Sequence, residues 1–509
     1  MLSKTYQRSK PMIDIKRSSG VLMSISSLPS KYGVGVFGKG AVDFAKKIAE
    51  MGFSYWQVLP FTPLDYANSP YGSDSAFAGN ELYINPDMMV DSGFVTRSEA
   101  DTNIYEGSPY TADYKFARVK RENLMRLAFS RLDDDFKHEI DSFIEKKDLF
   151  SHCLYRALKK ENQNKKFWEW EKGRDYEDAL TIADGLKEEI RYHGFVQYLF
   201  YTQWEETKAK INEFGIKIIG DMPIYVSRDS ADVWANKKLF DVDENYQPYE
   251  VAGCPPDYFS EDGQLWGNPL YNWKYHKEQG YSWWIERIKR SFELYDMLRI
   301  DHFRAFASYW AIDGKAKTAR NGVWKKGPKM QLFKAVKNAL GDVPIIAEDL
   351  GVFGNDVVKL LKDSGFPGMR IVQFGFDPDD DASHLPHNYP ENSIAYTGTH
   401  DNNTLLGWLW EASEEERAFA LDYCSFTEGD WGMGGYNAPA CRKIIECVWR
   451  SNAFLAIIPF QDMCGFGSDA RMNVPGDDSG KWGFRTTDDT VDGIDKNYFI
   501  KLNKTFRRK

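Results

Sequence analysis

Cysteine is scarce in this chain, and its spacing carries neither a metal nor a disulfide signature. Six of the 509 residues are cysteines, and no two of them form a Cys-x-x-Cys pair. They are Cys153, Cys254, Cys424, Cys441, Cys447 and Cys464. Scattered thiols of this kind are typical of reduced intracellular proteins rather than of zinc sites or disulfide frameworks. The sequence therefore predicts no metal site and no disulfide.

Long apolar runs and an excess of positive charge are absent as well. No apolar stretch approaches the roughly 18 residues of a membrane span, and the opening residues, MLSKTYQRSKPMIDIKRSSG, lack the apolar core of a secretory signal. The formal net charge is −10, whereas nucleic-acid binding needs a clustered basic surface. We expect a cytoplasmic protein with no membrane or nucleic-acid partner and a neutral or cationic substrate.

Common cofactor and nucleophile motifs are also missing. P-loop and zinc-protease patterns do not occur, and GFGSD at 465–469 does not match the Gly-x-Ser-x-Gly elbow of serine hydrolases. GVGVFG at 33–38 matches the dinucleotide fingerprint by its letters. However, LPSKY at 28–32 separates it from the preceding apolar run, so the required direct turn from strand into helix is lost. We expect no nucleotide and no other cofactor.

The chain does contain a series of short apolar runs separated by helical patterns. Strands of a parallel sheet are buried on both faces and give such runs in α/β proteins. Eight runs can be counted, at 21–26, 55–60, 216–223, 296–301, 344–349, 368–374, 393–401 and 454–462. Eight is the number of strands in a TIM barrel. The sequence therefore predicts an α/β protein with a (β/α)8 TIM barrel, and the glycines of GVGVFG are expected to shape a loop at its mouth.

Two spacings between these runs are too long for one βα unit and predict insertions. Residues 75–190 include SRLDDDFKHEIDSFIEKKDLFSHCLYRALKK, a charged stretch with helical periodicity. We interpret 75–190 as a largely helical inserted subdomain between a barrel start at 1–74 and the rest of the barrel at 191–509. Residues 251–273 are rich in Gly, Pro and aromatic residues. Long ordered loops are usually functional, so an active-site lid loop is predicted there.

Carboxylates stand at the ends of several predicted strands, where TIM barrels place their chemistry. They are Asp221, Asp301, Glu348, Asp349, Asp401 and Asp462. A single carboxylate in such a position is more often a helix cap or an ion-pair partner than a catalyst. Several on one barrel rim predict a catalytic site.

Asp301 and Glu348 are the leading catalytic candidates. Arg299 precedes Asp301 by two residues, so both side chains point to the same side of an extended strand and the arginine can hold the aspartate ionised. Glu348 is followed by Asp349, a neighbouring carboxylate expected to make Glu348 hold its proton more tightly. Asp401 ends a third strand. Two carboxyls with opposed protonation, a third nearby and aromatic residues at 15% of the sequence fit cleavage of a glycosidic bond. In the retaining version one carboxylate attacks the anomeric carbon while a carboxylic acid protonates the departing oxygen.

Nine motifs spread over nearly the whole chain carry a family resemblance. They are SLPSKYGVGVFG, YWQVLPFTPL, SPYGSDSAFAGN, IGDMPIYVSRDSADVWAN, GQLWGNPLYNW, RIDHFRAF, IIAEDLG, GTHDNNT and RMNVPG. In this order they resemble the 4-α-glucanotransferase family, also called amylomaltase or disproportionating enzyme, a relative of the α-amylase clan. The third-strand element GDMPIYV lacks the Asn-His usual in α-amylases, which favours the transferase branch.

The resemblance implies a role for each leading candidate. Asp301 would be the nucleophile, Glu348 the general acid/base and Asp401 the residue that grips the hydroxyls of the distorted donor sugar. Arg299, Asp221 and His400 would line that subsite, and Tyr71 would be a stacking platform in it.

Trp266, in the predicted lid, is interpreted as a stacking surface for the acceptor sugar. For Tyr71 and Trp266 alike, plain packing is the alternative. His302 and Arg304 are interpreted as supports for the catalytic groups rather than as catalysts.

The implied reaction is transfer of an α-1,4-glucan segment between maltooligosaccharides, or to glucose, with no cofactor. The alternatives are an α-amylase-like hydrolase with water as acceptor, and a catalytically silent glucan-binding protein on the same barrel.

One element departs from the family. Where relatives often have Asn-Trp-x-aromatic-Arg, this chain reads KWGFR at 481–485, so no asparagine role is assigned there.

Overall fold

The computed structural model describes residues 16–256, 261–351, 354–378, 382–476 and 482–509. Residues 257–260 of the predicted lid and Lys481 of KWGFR lie outside the described residues.

The described residues form twelve β-strands, eight of which close a parallel barrel. The strands are β1 (Ser18–Leu22), β2 (Tyr55–Gln57), β3 (Lys217–Met222), β4 (Glu250–Cys254), β5 (Gln264–Pro269), β6 (Met297–Ile300), β7 (Ser308–Asp313), β8 (Gly322–Lys326), β9 (Ile345–Ala347), β10 (Gly368–Ile371), β11 (Ser393–Tyr396) and β12 (Leu455–Pro459). The barrel runs β1-β2-β3-β6-β9-β10-β11-β12 and closes back onto β1. Each of the eight predicted runs overlaps one of these strands, so the TIM-barrel prediction is confirmed.

Alternate residues of the barrel strands face two different cores. In β12, Leu455 and Ile457 belong to a buried cluster that draws residues from all eight barrel strands and therefore fills the barrel interior. Ala456 and Ile458 belong to the larger cluster that the strands share with the surrounding helices. Because both faces of the barrel strands are largely buried, most of their residues are apolar, which is why the strands appear in the sequence as short apolar runs.

Helices cover the barrel and build its insertions. Those of the described residues are α1 (Lys39–Glu50), α2 (Pro86–Asp91), α3 (Arg97–Asp101), α4 (Tyr114–Phe129), α5 (Asp134–Lys146), α6 (Phe150–Glu161), α7 (Tyr176–Ile182), α8 (Lys187–Glu213), α9 (Ala231–Ala235), α10 (Trp273–Glu278), α11 (Ser282–Leu294), α12 (Met330–Leu340), α13 (Asn355–Ser364), α14 (Leu405–Glu411), α15 (Glu414–Tyr423), α16 (Pro439–Arg450), α17 (Phe460–Cys464), α18 (Asp488–Asp492) and α19 (Lys496–Thr505). None of them is both long and apolar enough to cross a membrane.

The segment between β2 and β3 is helical, with starts fixed by local side chains. The side chains of Asp113 and Asp133 accept hydrogen bonds from the third backbone N–H of α4 and α5, and such caps stabilise a helix by about 1 kcal/mol. Helix α8 packs against α1, α5 and α6 and continues directly to the turn before β3. It runs through residue 190, and the division into subdomains at that residue stays a prediction.

The residues predicted to form a lid loop contribute to a small antiparallel sheet. Strands β4 and β5 pair with each other, and β7 and β8 extend the sheet in the order β5-β4-β7-β8. The sequence does not predict this sheet, because β4 and β5 contain Gly253, Gly267 and Pro269 and lack a regular apolar–polar alternation. The part of the predicted loop that is described is therefore largely β-structure.

Candidate active site

The carboxylates of the site lie at one end of the barrel because parallel strands bring their carboxyl ends together. Asp221 is the second-to-last residue of β3, Asp301 directly follows β6, and Glu348 directly follows β9. Asp401 lies in the segment between β11 and α14. Asp301 and Asp401 keep 27% and 42% of their side-chain surface accessible. A ligand can therefore reach both carboxylates from solvent.

Arg299 ties two of these carboxylates together. Its Nη1 lies 2.7 Å from both oxygens of Asp221, the residue directly opposite it in the β3–β6 register. Its Nη2 lies 3.0 Å from Oδ1 of Asp301. Burial alone would lower the pKa of Arg299, but the charges of Asp221 and Asp301 outweigh it and raise that pKa well above its usual value. The expectation that Arg299 and Asp301 point to the same side is met.

Asp301 nevertheless holds its proton more tightly than an ordinary aspartate. Burial raises its pKa, the charge of Arg299 opposes that rise, and the nearby Asp221 and Asp401 add to it. The result is a pKa of about 6. Arg299 thus lowers the free-energy cost of ionising Asp301 but does not remove that cost. The sequence predicted an aspartate held ionised by Arg299, whereas Asp301 ionises only near pH 6.

Glu348 is fixed through both of its oxygens by backbone donors. The N–H of His302 donates to Oε2 and the N–H of Leu350 donates to Oε1, each at 2.7 Å. Burial raises the pKa of Glu348 to about 7, with Arg299 opposing the rise and Asp301 adding to it. Glu348 is therefore oriented, and it is protonated over much of the range below neutral pH.

Asp349 does not act on Glu348 as the sequence suggested. Its carboxylate faces the neighbouring strand β10, where Oδ1 accepts the N–H of Met369 at 2.7 Å and Oδ2 lies 3.1 Å from Nη1 of Arg370. The carboxylate that raises the pKa of Glu348 is Asp301. The expected effect is present but comes from a different residue, because adjacent residues of an extended chain point to opposite sides.

Asp401 is surrounded by donors. Nε2 of His400 lies 3.2 Å from Oδ2, and Nδ2 of Asn473 donates to Oδ1 at 2.6 Å. Burial alone would raise the pKa of Asp401, but the charge and hydrogen bond of His400 and the hydrogen bond of Asn473 lower it well below its usual range. Of Asp301, Glu348 and Asp401, Asp401 is therefore the group that ionises most readily.

The segment RMNVPG at 471–476 holds the backbone of His400 and Asp401 by hydrogen bonds. The sequence did not predict this role. The N–H of Asn473 donates to the carbonyl of His400 at 3.0 Å, and Nη2 of Arg471 donates to the carbonyl of Asp401 at 2.6 Å. Asn473 and Asp401 are 72 residues apart in the chain. No local pattern could have paired them, although RMNVPG is one of the motifs that carry the family resemblance.

Tyr71 belongs to the same cluster through its hydroxyl. The O–H donates to Oδ2 of Asp221 at 2.7 Å, and the ring stacks on His400 with centroids 5.1 Å apart and planes 16° from parallel. Trp482 of KWGFR lies beside both rings, at 5.7 Å from Tyr71 and 5.8 Å from His400. One face of Tyr71 is thus occupied by His400, so its role as a sugar platform stays a prediction for the remaining ring surface.

Trp266 lies on β5 and reaches the site through His302. Its ring meets that of His302 edge-to-face at 4.8 Å, and its N–H donates to Oε1 of Gln264 at 3.1 Å. His302 has a left-handed backbone, φ 49°, and it is the residue whose N–H binds Glu348. Burial lowers the pKa of His302 to about 3, so its imidazole is neutral. The antiparallel sheet is therefore in contact with the segment that orients Glu348.

Arg304 and Asp462 lie outside the carboxylate cluster. The guanidinium of Arg304 stacks over Trp324 of β8 at 4.0 Å, which couples the same segment to the antiparallel sheet. Asp462 is buried, and its oxygens accept the hydroxyl of Thr397 at 2.6 Å and the N–H of Leu405 at 2.7 Å. Burial raises the pKa of Asp462 to about 6. Asp462, like Asp349, is a structural carboxyl that ties neighbouring barrel segments together.

Within the described ranges no group of His, Cys, Asp and Glu side chains is arranged to hold a metal ion. The ionisable side chains that the barrel rim brings together are the carboxyl groups of Asp221, Asp301, Glu348 and Asp401, with Arg299 and His400 beside them. A readily ionised and a readily protonated carboxyl at the C-terminal end of a (β/α)8 barrel are typical of enzymes that cleave glycosidic bonds with retention.

Comparison with known proteins identifies the family within this class. Residues 23–490 match the model of the 4-alpha-glucanotransferase family. The chain is 40% identical to the 4-alpha-glucanotransferase of Clostridium butyricum over 493 residues, which cover 96% of this chain and all of that protein. It is also 40% identical to the 4-alpha-glucanotransferase of Thermus thermophilus, over 93% of this chain and 95% of that one. The chain belongs to the 4-alpha-glucanotransferase family.

The fold agrees with this assignment. The amylomaltase of Streptococcus agalactiae, solved in complex with acarbose, superimposes with a TM-score of 0.91 at 38% identity. The match covers 97% of this chain and all of that chain. The barrel and its insertions are thus shared with an amylomaltase over 97% of this chain.

Proposed function

We propose that this 4-alpha-glucanotransferase moves α-1,4-glucan segments from one maltooligosaccharide to the 4-hydroxyl of another by a retaining double displacement. The observation that carries the proposal is the pair Asp301 and Glu348. Asp301 is paired with Arg299 and accessible from solvent, whereas Glu348 is buried, fixed by two backbone donors and readily protonated. These are the states that a nucleophile and an acid need before the first step.

In the first step the Asp301 carboxylate attacks the anomeric carbon of the donor. The bond to the glycosidic oxygen breaks, and Glu348 gives its proton to that oxygen, so the leaving glucan departs as a neutral alcohol. Arg299 keeps Asp301 aimed through the 3.0 Å contact. The enzyme now carries a glycosyl ester on Asp301 and a carboxylate at Glu348.

In the second step the acceptor sugar replaces the leaving glucan. Its 4-hydroxyl loses a proton to Glu348 and attacks the anomeric carbon, and Asp301 leaves as a carboxylate. Two inversions give net retention and return both groups to their starting states. Every proton is supplied and recovered by Glu348, so the cycle needs no cofactor.

Asp401 and its neighbours are proposed to hold the donor sugar. An ionised Asp401 accepts two sugar hydroxyls and favours the positive charge that develops on the ring in the transition state. The low pKa of Asp401 supports this role, because the group stays charged at the pH where Glu348 is protonated. His400, Asp221, Arg299 and Tyr71 are proposed to line the same subsite. Their mutual contacts make it rigid before substrate binds.

Trp266 is proposed to receive the acceptor. It is 37% exposed and touches the His302 ring, whose backbone N–H binds Glu348. A glucose ring stacked on its free face would stand next to the residue that must take its proton. This placement favours a sugar over water as acceptor and so favours transfer over hydrolysis.

The proposed substrates are maltooligosaccharides and the glucans of starch or glycogen, with glucose as a product or acceptor. They are neutral, in line with a site whose charged groups are already paired with one another. We further propose that the enzyme works in the cytoplasm without a nucleic-acid or membrane partner, which its net charge of −10 supports.

Incubation with maltotriose tests the reaction. Transfer yields glucose together with longer oligomers while the number of reducing ends stays constant. Hydrolysis by an α-amylase-like enzyme instead raises the number of reducing ends without longer chains. If no product forms at all, the proposal fails, and binding of maltotriose without turnover would identify a silent glucan-binding protein.

The variant Asp301→Asn tests the nucleophile. An amide is a poor nucleophile and cannot offset the positive charge on the sugar, so nearly all transfer should be lost although the melting temperature is kept. Activity within about tenfold of the parent, roughly 1.4 kcal/mol of barrier, would remove Asp301 from this role.

A further inference from the structure

A second concavity lies on the outside of the barrel and shares no residue with the candidate active site. It is a cavity of about 590 Å³ bounded by α10 and the start of α11, by the segment from β8 into α12, and by α13. Pockets of 300–1,000 Å³ are of the size that holds a small organic ligand. The glucan chemistry proposed above leaves this cavity without a use.

The lining of the cavity is strongly basic. Its lysines are Lys274, Lys277, Lys326, Lys329, Lys334 and Lys359. Two carboxylates also line it, and Asp363 is paired with Lys359 at 2.6 Å. Burial would raise the pKa of Asp356, but the hydrogen bond of Ser308 and the charge of Arg304 lower it, so Asp356 leaves one negative charge in a lining of six lysines. In the part of the chain that the structure describes, the other five lysines form no ion pair.

This local charge is unlike the rest of the molecule. The chain carries ten more acidic than basic residues, yet six lysines and two aspartates meet around one cavity. Unpaired like charges in one concavity repel each other and focus a positive potential into it, which an anion relieves. A neutral glucan would gain nothing from this arrangement.

The wall that carries Lys326 and Lys329 is fixed in place. The N–H of Gly327 donates to the carbonyl of Ala307 at 3.0 Å, and that of Lys329 donates to the carbonyl of Phe306 at 2.8 Å. A Cβ at Gly327 would lie 2.3 Å from the oxygen of Phe306, so only glycine allows this close approach. The backbone of this wall is therefore preorganised, which lowers the cost of binding.

The start of α12 adds to the positive potential. The helix begins at Met330, inside the lining, without a capping side chain or an acidic residue in its first turn. Its N-terminal backbone dipole favours an anion at the same place as the lysines. Tyr281 and the half-buried Trp273 also line the cavity and provide its aromatic wall.

We propose that this cavity between α10, α12 and α13, called the lysine pocket below, binds a small organic phosphate. The proposal rests on the size of the cavity, its five unpaired lysines and its aromatic wall. The lysines and the start of α12 would bind the phosphate, and Trp273 and Tyr281 would contact the organic part. The proposal does not rest on the carboxylate chemistry, because the lining includes none of the residues assigned to the active site.

Calorimetric titration at a fixed ionic strength near 0.15 M tests the proposal with three probes: pyrophosphate, glucose 6-phosphate and glucose. We expect saturable binding of one equivalent of both phosphates and none of glucose at the lysine pocket. The variant Lys329→Gln/Lys334→Gln should weaken phosphate binding at least tenfold. The pair Lys274→Gln/Lys277→Gln, on a different wall, should do the same.

The matched control is Lys501→Gln/Lys504→Gln, which removes the same charge from exposed positions of α19. It should leave phosphate binding unchanged. All three double variants should keep the maltotriose activity and the melting temperature of the parent, since none of these lysines belongs to the catalytic cluster. Absence of saturable phosphate binding would overturn the proposal, and so would equal weakening by the control and the lysine-pocket variants.

Discussion

Trp266→Ala offers a direct test of how an enzyme with hydrolase-type carboxylates would prefer a sugar over water. The ring lies on β5 at the edge of the antiparallel sheet. Of its described ring contacts, with Tyr225 and His302, the edge-to-face contact with His302 is the one that reaches the site. Removing it leaves the hydrogen bonds of Asp301, Glu348 and Asp401 in place. The variant should therefore affect the acceptor and spare the first chemical step.

The size of the effect follows from the exposed ring surface. Trp266 is 37% exposed, which for a tryptophan of about 250 Å² is roughly 90 Å². A glucose ring that covers about two thirds of this surface removes about 60 Å² from water, worth about 1.5 kcal/mol at 25 cal/mol per Å². Loss of that contact corresponds to about a tenfold weaker half-saturation by the acceptor.

The assay follows labelled glucose into longer oligosaccharides at a fixed concentration of maltotriose, with total reducing ends as the measure of hydrolysis. Trp266→Ala should raise the half-saturating glucose concentration about tenfold and raise the ratio of hydrolysis to transfer. Trp410→Ala is the matched control, because Trp410 is 48% exposed and its N–H binds the carbonyl of Gly432, which is not part of the carboxylate cluster.

Two results would refute the reasoning. An unchanged acceptor dependence in a variant with the parent's melting temperature would show that Trp266 takes no part in acceptor binding. A similar change in Trp410→Ala would show that loss of any exposed tryptophan has the same effect. If Trp266→Ala lowers the melting temperature by many degrees and loses all activity, the packing interpretation of Trp266 is correct.

Three further predictions follow from the carboxyl groups. Glu348→Gln should lose at least 100-fold on maltotriose but still be glycosylated by α-glucosyl fluoride, whose leaving group needs little protonation; equal losses on both donors would contradict the acid role. Turnover should rise as Asp301 ionises near pH 6 and fall as Glu348 deprotonates near pH 7, so a flat profile from pH 5 to 8 would refute the assignment. Asp462 has a pKa of about 6 in the folded protein and 3.8 in the unfolded chain. The protonated carboxyl therefore contributes its full stabilisation below pH 3.8, and this stabilisation is lost as the pH rises through 6. Relative to Asp462→Asn, the parent should lose about 2.4 kcal/mol of stability between pH 4 and pH 7, and parallel melting curves of the two proteins over that range would contradict this.

The barrel could be predicted from the sequence because its signal is local. Each barrel strand is buried on both faces, so it appears as a short apolar run with turn residues at its ends. The carboxyl ends of parallel strands meet at one rim, so a polar residue directly after a run is placed near the others without knowledge of the chain path. This is how Asp301 and Glu348 came to be predicted together.

The antiparallel sheet could not be predicted in this way. Strands β5 and β8 expose much of their surface, as Trp266 and Trp324 illustrate at 37% and 43%, so they have no continuous apolar run. The central pairing joins β4 to β7, about sixty residues later in the chain. Strand propensity is a weak guide where pairing with a distant partner decides the structure.

The pairs Arg299–Asp301 and Glu348–Asp349 show which spacing along a strand brings two charged side chains together. Arg299 and Asp301 are two residues apart, and their side chains meet at 3.0 Å. Glu348 and Asp349 are adjacent, and Asp349 instead binds Met369 and Arg370 on the next strand. In an extended chain successive side chains alternate between two sides, so a charge two positions away acts on a group more strongly than the adjacent one. By the same argument Asp349→Asn should disturb the β9–β10 connection while leaving Glu348 as readily protonated as before, because the charge that raises the pKa of Glu348 belongs to Asp301.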